Sequence, residues 1–293
     1  MAEDALFLGF TGHINMDIVL RTDHIPASGS TSVTDIEENF GGTAGNFAMV
    51  AARLGYPFRV YSSVSLSTHR AYLDFLHKIG VDTSGVYLTD SDRGPVCYTV
   101  SDSGEQIYFV YQGPMASPYL HKVIRNIHHE YLHLGTGLPE DLRWAAENVP
   151  HRNLVFDPGQ EIAYRYNKSD LEYFMSKAKL CILNENENRI ASRILGKSPE
   201  NICSSLIVTM GVRGSVLYEG GQTHSVPPRK SVRVYDTIGA GDAFRAGLYL
   251  GLYKRFSLLE SMRVGSVVAS LAIQGPLRDF SYSQEQVLAM LRD

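Results

Sequence analysis

A short apolar run followed by an amphipathic stretch recurs along most of this chain, and that alternation constrains the fold more than any other feature. Leu6–Phe10 reads as a strand, and Phe47–Leu54 as a helix stopped by Gly55, as a left-handed end residue would stop it. Phe58–Val64 reads as a strand before a helix over Arg70–Ile79 that ends at Gly80. Tyr131–Leu134 precedes a helix over Pro139–Glu147, and Leu154–Phe156 precedes one over Ser169–Ala178 with Ser169 as its cap. Leu180–Leu183 with Glu187–Leu195 repeats the unit, and Leu206–Thr209 adds a strand. This alternation predicts a parallel sheet with helices on both faces, a three-layer αβα arrangement.

Two stretches break the rhythm. Asp17–Thr22 and Thr31–Glu37 read as strands joined through Pro26 and Gly29. Val86–Leu88, Pro95–Val100 and Gln106–Tyr111 read as strands, with a hairpin at Asp102-Ser103-Gly104. With no helices to cover them, they predict a small sheet standing off the main body, a lid drawn from about residues 17–40 and 86–112. Val232–Tyr235 reads as a last strand, and helices follow at about 243–255, 258–273 and 283–292. The 293 residues fit one large α/β domain or one domain with a small appendage.

Charge and cysteine usage exclude several classes. With 27 Lys+Arg against 31 Asp+Glu, the net charge of −4 argues against a protein held on nucleic acid or an anionic membrane by bulk charge. Apolar runs such as Val267–Ile273 fall far short of the roughly 20 residues a membrane span needs. The acidic start Met1-Ala2-Glu3-Asp4 does not read as a signal peptide. Cys97, Cys181 and Cys203 have no paired spacing, which suits a reducing, cytoplasmic interior and excludes a disulfide scaffold or Cys-based zinc site.

Two motif matches fail on context. His129-Glu130-Tyr131-Leu132-His133 spells the zinc-protease pattern H-E-x-x-H, which offers a metal hydrolase as an alternative class. That chemistry needs a helix, to put both imidazoles on one metal. Here the run reads as a strand, where the two histidines lie roughly 13 Å apart at ~3.3 Å per residue. Gly196-Lys197-Ser198 mimics the end of a P-loop, but Ala191 stands where its first glycine belongs, and a helix precedes it. Neither G-x-G-x-x-G nor G-x-S-x-G occurs.

The chemistry is carried by Asp236-Thr237-Ile238-Gly239-Ala240-Gly241-Asp242-Ala243-Phe244, a Gly-Ala-Gly turn opening an apolar helix. Small residues let backbone N–H groups converge on an anion, and the helix dipole adds to the attraction. A carboxylate beside such a nest repels phosphate, so Asp242 reads as a base taking a proton from an attacking alcohol; a plain capping role is the alternative. Gly41, Gly42 and Asn46 open another helix and offer close approach and hydroxyl partners. In Gly12-His13-Ile14-Asn15-Met16-Asp17, Asp17 leads into the lid and can accept two sugar hydroxyls. Asn184-Glu185-Asn186-Glu187 follows a strand, where Asn184 and Glu187 either hold the hydration shell of a Mg²⁺ or merely cap a helix. Thr209, Gly211 and Gly214 form a strand-to-turn element suited to a nucleotide tail.

Together these elements resemble the ribokinase-like (PfkB) carbohydrate and nucleoside kinases over essentially the whole chain. The resemblance implies a Rossmann-like parallel αβα domain with a β lid, ATP and Mg²⁺, and transfer of the γ-phosphoryl group to a primary hydroxyl. It makes Asp242 the catalytic base and Gly239, Ala240 and Gly241 the anion hole. It makes Asp17, Asn15, Gly41, Gly42 and Asn46 substrate contacts. Asn184, Glu187, Thr209, Gly211 and Gly214 become the nucleotide and metal–phosphate element, with Glu187 acting through water. Asp236 and Ile238 fall where some members bind a monovalent cation such as K⁺. The chain departs from ribokinases proper at Leu134-Gly135-Thr136, which lacks their glutamate. It also lacks the Asn/Arg pair many sugar-kinase relatives carry near Asp157-Pro158-Gly159-Gln160, and the Asn often seen beside adenine near Gly265-Ser266. The lid strand Gln106–Tyr111 has no Arg, which favours a neutral sugar or nucleoside over an acidic one such as 2-keto-3-deoxygluconate. Tyr98, Tyr108, Phe109 and Tyr111 either stack on a nucleobase, pack the lid, or join two lids in a homodimer. A catalytically idle sensor on the same fold is the other class that fits.

Overall fold

The strands that alternate with helices pair into one large sheet. The computed structural model describes residues 5–102, 104–125, 127–229 and 233–291. In chain order the strands are β1 (Ala5–Thr11), β2 (Asn15–Thr22), β3 (Val33–Gly41), β4 (Phe58–Ser65), β5 (Val86–Thr89), β6 (Val96–Ser101), β7 (Gln106–Tyr111), β8 (His128–Leu134), β9 (His151–Phe156), β10 (Leu180–Asn184), β11 (Ser205–Thr209), β12 (Ser215–Glu219) and β13 (Gln222–Val226). The large sheet runs β13-β12-β11-β10-β9-β8-β1-β4-β5. Its pairs from β11 to β5 are parallel, and β12 and β13 extend one edge antiparallel. From β1 the chain builds outward to β4 and β5, then returns to lay β8, β9, β10 and β11 on the other side. The order therefore reverses between β1 and β8, and a crevice opens there beyond the carboxyl ends of the strands.

Helices cover both faces. They are α1 (Thr43–Leu54), α2 (Leu66–Lys78), α3 (Leu120–Val123), α4 (Pro139–Asn148), α5 (Lys168–Lys177), α6 (Glu185–Leu195), α7 (Ala240–Tyr253), α8 (Leu258–Ala272) and α9 (Gln284–Ala289). Phe10, Phe47, Tyr72, Tyr249 and Val264 pack under α1, α2, α7 and α8 on one face. Leu142, Phe156, Phe174 and Ala191 pack under α4, α5 and α6 on the other. This is the three-layer arrangement that the alternation predicts. Asn167, not Ser169, caps α5, in a reciprocal capping box with Asp170.

The small sheet has the order β3-β2-β6-β7, with β2 parallel to β6 and the outer pairs antiparallel. One expectation fails here. Val86–Leu88 belongs not to this sheet but to the large one, where β5 pairs with β4 in the register Ser62↔Val86. The helix α2 is the crossover that makes a parallel neighbour of it, and the missing helix after β5 hides that from a reading of local rhythm. The expected tip at Asp102-Ser103-Gly104 is closed by Asp102, whose Oδ1 accepts the N–H groups of Gly104 and Glu105 at 2.8 Å each; Ser103 lies outside the described residues. Of the expected strand Val232–Tyr235, Val232 lies outside the described residues and 233–235 are not in a strand. Met1–Asp4 and the end of the last expected helix, Arg292, also lie outside them. No helix among the described residues is long and apolar enough to cross a membrane.

Candidate active site

Two clefts meet at the amino end of α7. The first, of about 160 Å³, is lined by His13, Asn15, Asp17, Asn46, Glu161, Tyr164 and Asp242, with Tyr108 and Val110 of the small sheet. The second, of about 550 Å³, is lined by Thr209, Gly211, Gly214, Val234, Phe244 and Ile273 among others. The segment between them is shared: Ile238, Gly239 and Asp242 face the first cleft, and Thr237, Ala240 and Gly241 the second.

Gly239 makes this turn with φ +74°, and a Cβ there would run into Leu277 and Asn46. The helix then starts with Gly241 and Asp242 in its first turn, whose N–H groups have no partner within the helix. Ala240 differs from the expected nest, because its N–H already donates to the Thr237 carbonyl at 3.2 Å. The buried Asp242 carboxyl is held from two sides. Asn46 Nδ2 donates to Oδ2 at 3.0 Å, and Arg245 Nη1 lies 3.4 Å from Oδ1. Burial pushes the Asp242 pKa up to about 6, against the pull of Arg245 and the Asn46 hydrogen bond. Arg245 is itself held by Asp157 through both carboxylate oxygens, one bond measuring 2.7 Å.

Across the first cleft, Asp17 leaves Oδ1 buried without a hydrogen-bond partner, and Asn15 does the same. Buried polar atoms are normally paired, so two converging acceptors of this kind suit the hydroxyls of a bound polyol. Burial and the Asp242 charge raise the Asp17 pKa to about 7. Gly41 and Gly42 shape this wall, and Gly42 lines the cleft itself. A Cβ on Gly41 would overlap the Asp17 carboxyl, and one on Gly42 (φ +85°) would lie 2.5 Å from the His13 carbonyl oxygen.

Thr209, Gly211 and Gly214 line the second cleft. Asn184 and Glu187 line neither cleft. They form a capping box at the start of α6, one strand from Thr209, with Glu187 N–H donating to Asn184 Oδ1 at 2.9 Å. Glu187 is buried, which together with Asp157 raises its pKa to about 7. Among the described residues no three His, Cys, Asp or Glu side chains gather to cage a metal. A Mg²⁺ fits such a place only if phosphate oxygens and water supply most of its ligands, as Mg²⁺ prefers. At the position expected to take a monovalent cation, Asp236 Oδ1 accepts the Ile238 N–H at 2.9 Å. The H-E-x-x-H run lies in β8, as its strand reading requires. His129 Nε2 meets the Tyr61 hydroxyl at 2.9 Å and His133 Nδ1 the Tyr249 hydroxyl at 2.9 Å.

The model of the pfkB family carbohydrate kinases matches residues 7–283. The chain belongs to the PfkB family. It is 38% identical to the nucleoside kinase of Thermoplasma acidophilum over 283 residues, 96% of this chain and 94% of that protein. The structure of the Methanocaldococcus jannaschii nucleoside kinase superposes with a TM-score of 0.88 at 24% identity, covering 99% of both chains. That of the Burkholderia thailandensis nucleoside kinase with inosine gives 0.86 at 23%, covering 97% of both. The fold is thus ribokinase-like, and the protein is an ATP-dependent phosphotransferase acting on the alcohol group of a sugar or nucleoside.

Reading the sequence missed a second set of residues in this PfkB kinase. Gln112 Nε2 donates to Glu161 Oε1 at 3.0 Å, so its oxygen faces His13, whose Nε2 lies 2.5 Å away. His13 Nδ1 in turn meets Thr136 Oγ1 at 2.7 Å, and Thr136 meets Thr43 Oγ1 at 2.8 Å. Because the carboxylate can only accept, this chain of bonds has one polarity: the imidazole carries its proton on Nε2 and Thr136 donates to Nδ1. Burial holds the His13 pKa low, consistent with a neutral ring. Glu161, 1% exposed, lies beneath the strand-end loop where the expected glutamate is absent, and accepts the Gly137 N–H at 2.6 Å. His13 and Thr136 are 123 residues apart and Gln112 and Glu161 are 49 apart. No local pattern joins them.

Proposed function

We propose that this PfkB kinase phosphorylates the primary hydroxyl of a neutral nucleoside from ATP and Mg²⁺. The carrying observation is that one segment, Thr237–Asp242, separates a cleft rich in hydroxyl acceptors from a larger, partly apolar one. A phosphate tail in the second cleft would present its terminal group across the Gly239–Asp242 amides to an alcohol in the first. Asp17, Asn15 and Asn46 orient that alcohol's carbon skeleton. Asp242 accepts its proton as the oxygen attacks phosphorus, while the first-turn amides and helix dipole stabilise charge on the transferring group. The Asn46 and Arg245 contacts hold the carboxylate so that one oxygen meets the hydroxyl. Mg²⁺, when bound among the phosphates near Asn184 and Glu187, supplies further neutralisation of the transferring charge. The Asp236–Ile238 turn is where K⁺ would bind.

A neutral substrate is favoured because the first cleft is lined by Asp17, Glu161 and Asp242 and by no Lys or Arg. An anionic sugar there would meet repulsion without a paired charge. A nucleoside rather than a free sugar is supported by the 38% identical Thermoplasma relative, itself a nucleoside kinase. With the Asp242 carboxyl and the first-turn amides of Gly241 and Asp242 in place, the idle-sensor alternative is not favoured. The small sheet acts as a lid over the first cleft, and its outer face joins two copies in a homodimer. Free Cys97, Cys181 and Cys203 fit action in the cytoplasm. The test is ADP release with Mg-ATP across nucleosides, ribose, fructose and 2-keto-3-deoxygluconate. Nucleosides should turn over with the highest kcat/KM, with phosphorus NMR placing the new phosphate on the primary carbon. Turnover of the acidic sugar alone would contradict the reading.

A further inference from the structure

We propose that Tyr164 is the stacking platform that selects a nucleoside over a free sugar, its ring held in place by Gln112 and the buried Glu161, with Tyr108 as its counterpart on the small sheet. This deepens the nucleoside reading and rests on it. Tyr164 follows the short 3-10 turn Gly159–Ala163 and lines the first cleft, yet 58% of it is exposed, in a main body whose other large rings are mostly buried. Its position is nevertheless tied down. The hydroxyl accepts from Gln112 Nε2 at 3.3 Å and donates to Glu161 Oε1 at 3.4 Å. Glu161 is fixed in turn by the Gly137 N–H and by Arg165 Nε at 3.0 Å. Burial and the nearby Glu161 raise the Tyr164 pKa to about 12, so the donor proton stays on the hydroxyl.

With its hydroxyl tethered, Tyr164 lines the cleft, and among the described residues no other ring and no cation stacks on it. Tyr108 stands in the same cleft, 55% exposed, with its hydroxyl 2.6 Å from Gln106 Oε1, and Val110 beside it adds apolar surface. These walls add ring area to a cleft whose polyol partners include Asp17, Asn15, Asn46 and Asp242. A sugar alone would leave the rings unused. A base attached to that sugar would cover them, gaining roughly 1–3 kcal/mol from stacking, about 5- to 150-fold in affinity.

The experiment compares dissociation constants for a purine nucleoside and for ribose, with KM values alongside, in the wild type and in Tyr164→Ala, Tyr164→Phe and Tyr108→Ala. Wild type should bind the nucleoside more tightly, and Tyr164→Ala should cut the nucleoside-to-ribose preference by about 5- to 150-fold. Tyr164→Phe, which keeps the ring, should cut it less, and Tyr108→Ala should also lower it. An unchanged preference in Tyr164→Ala overturns the proposal, as does a Phe variant falling as far as the Ala variant. Because the side chain is exposed, thermal midpoints check that each variant is folded. If the wild type phosphorylates neither nucleosides nor sugars, it is the nucleoside-kinase reading that fails. If it phosphorylates nucleosides without preferring them over ribose, the platform alone fails.

Discussion

At the scale of single residues, the first cleft is held at a cost to the fold. Asp17 leaves a buried oxygen unpaired, and its pKa stands near 7 against an ordinary 3.8. A raised value means the native state binds the proton more tightly than the unfolded chain does. Ionising Asp17 therefore costs stability, with the cost absent below about pH 4 and complete above about pH 7. Asp17→Asn should thus raise stability at pH 8 by about 1–3 kcal/mol, and the gain should vanish toward pH 4. Thermal melts of both proteins across that range check this, while KM for the nucleoside should rise. A variant equally stable or less stable at pH 8 would show that the unpaired carboxylate carries no such penalty. Asp242 resembles Asp17 in being raised, to about 6, but differs in having Asn46 and Arg245 beside it. Since both must be ionised for the proposed chemistry, kcat/KM should fall with acid across the same window, and the pair titrates with shared apparent values.

Among the elements, the amino end of α7 matters most. Its geometry depends on Gly239, whose left-handed φ and tight surroundings leave no room for a side chain. Gly239→Ala should destabilise the protein by about 1–2 kcal/mol or more and reduce kcat, read by denaturant melts and steady-state rates. Retention of both would show that the turn relaxes freely. This element was legible in the sequence because it is contiguous: Asp236 to Phe244 holds the turn, the Asp242 carboxyl and the start of the helix in nine residues. The capping box of Asn184 and Glu187 was legible for the same reason, although a metal role and a capping role look identical in sequence. The wall made by His13, Gln112, Thr136 and Glu161 was not, since four distant segments meet there only after the sheet reverses between β1 and β8. Arg245 stood in view within the motif, but its value comes from Asp157, 88 residues earlier at the end of β9. β5 was misplaced because its crossover helix precedes it, and rhythm alone does not say which sheet an edge strand joins.

For the whole molecule, the small sheet divides its labour between two faces. Side chains alternate across a strand, so Asp17, Cys97, Tyr108 and Val110 face the cleft while Ile18, Tyr98, Ile107, Phe109 and Tyr111 share the opposite face. Phe109 and Tyr111 are at least half exposed there, and Ile36 joins them from β3. An apolar face of this kind marks a contact surface. Sedimentation velocity should find a dimer in the wild type and a monomer in Phe109→Asp. A wild type that stays monomeric at micromolar concentration would remove the paired-lid arrangement and leave the catalytic account standing.

That account turns on the carboxylate of residue 242 taking a proton from the substrate alcohol. The direct measurement is single-turnover ADP formation from saturating nucleoside and Mg-ATP in the wild type and in Asp242→Asn. The account predicts a rate lower by roughly 10²–10⁴-fold in the variant, with nucleoside affinity kept within a few fold. A variant that forms ADP as fast as the wild type would contradict it.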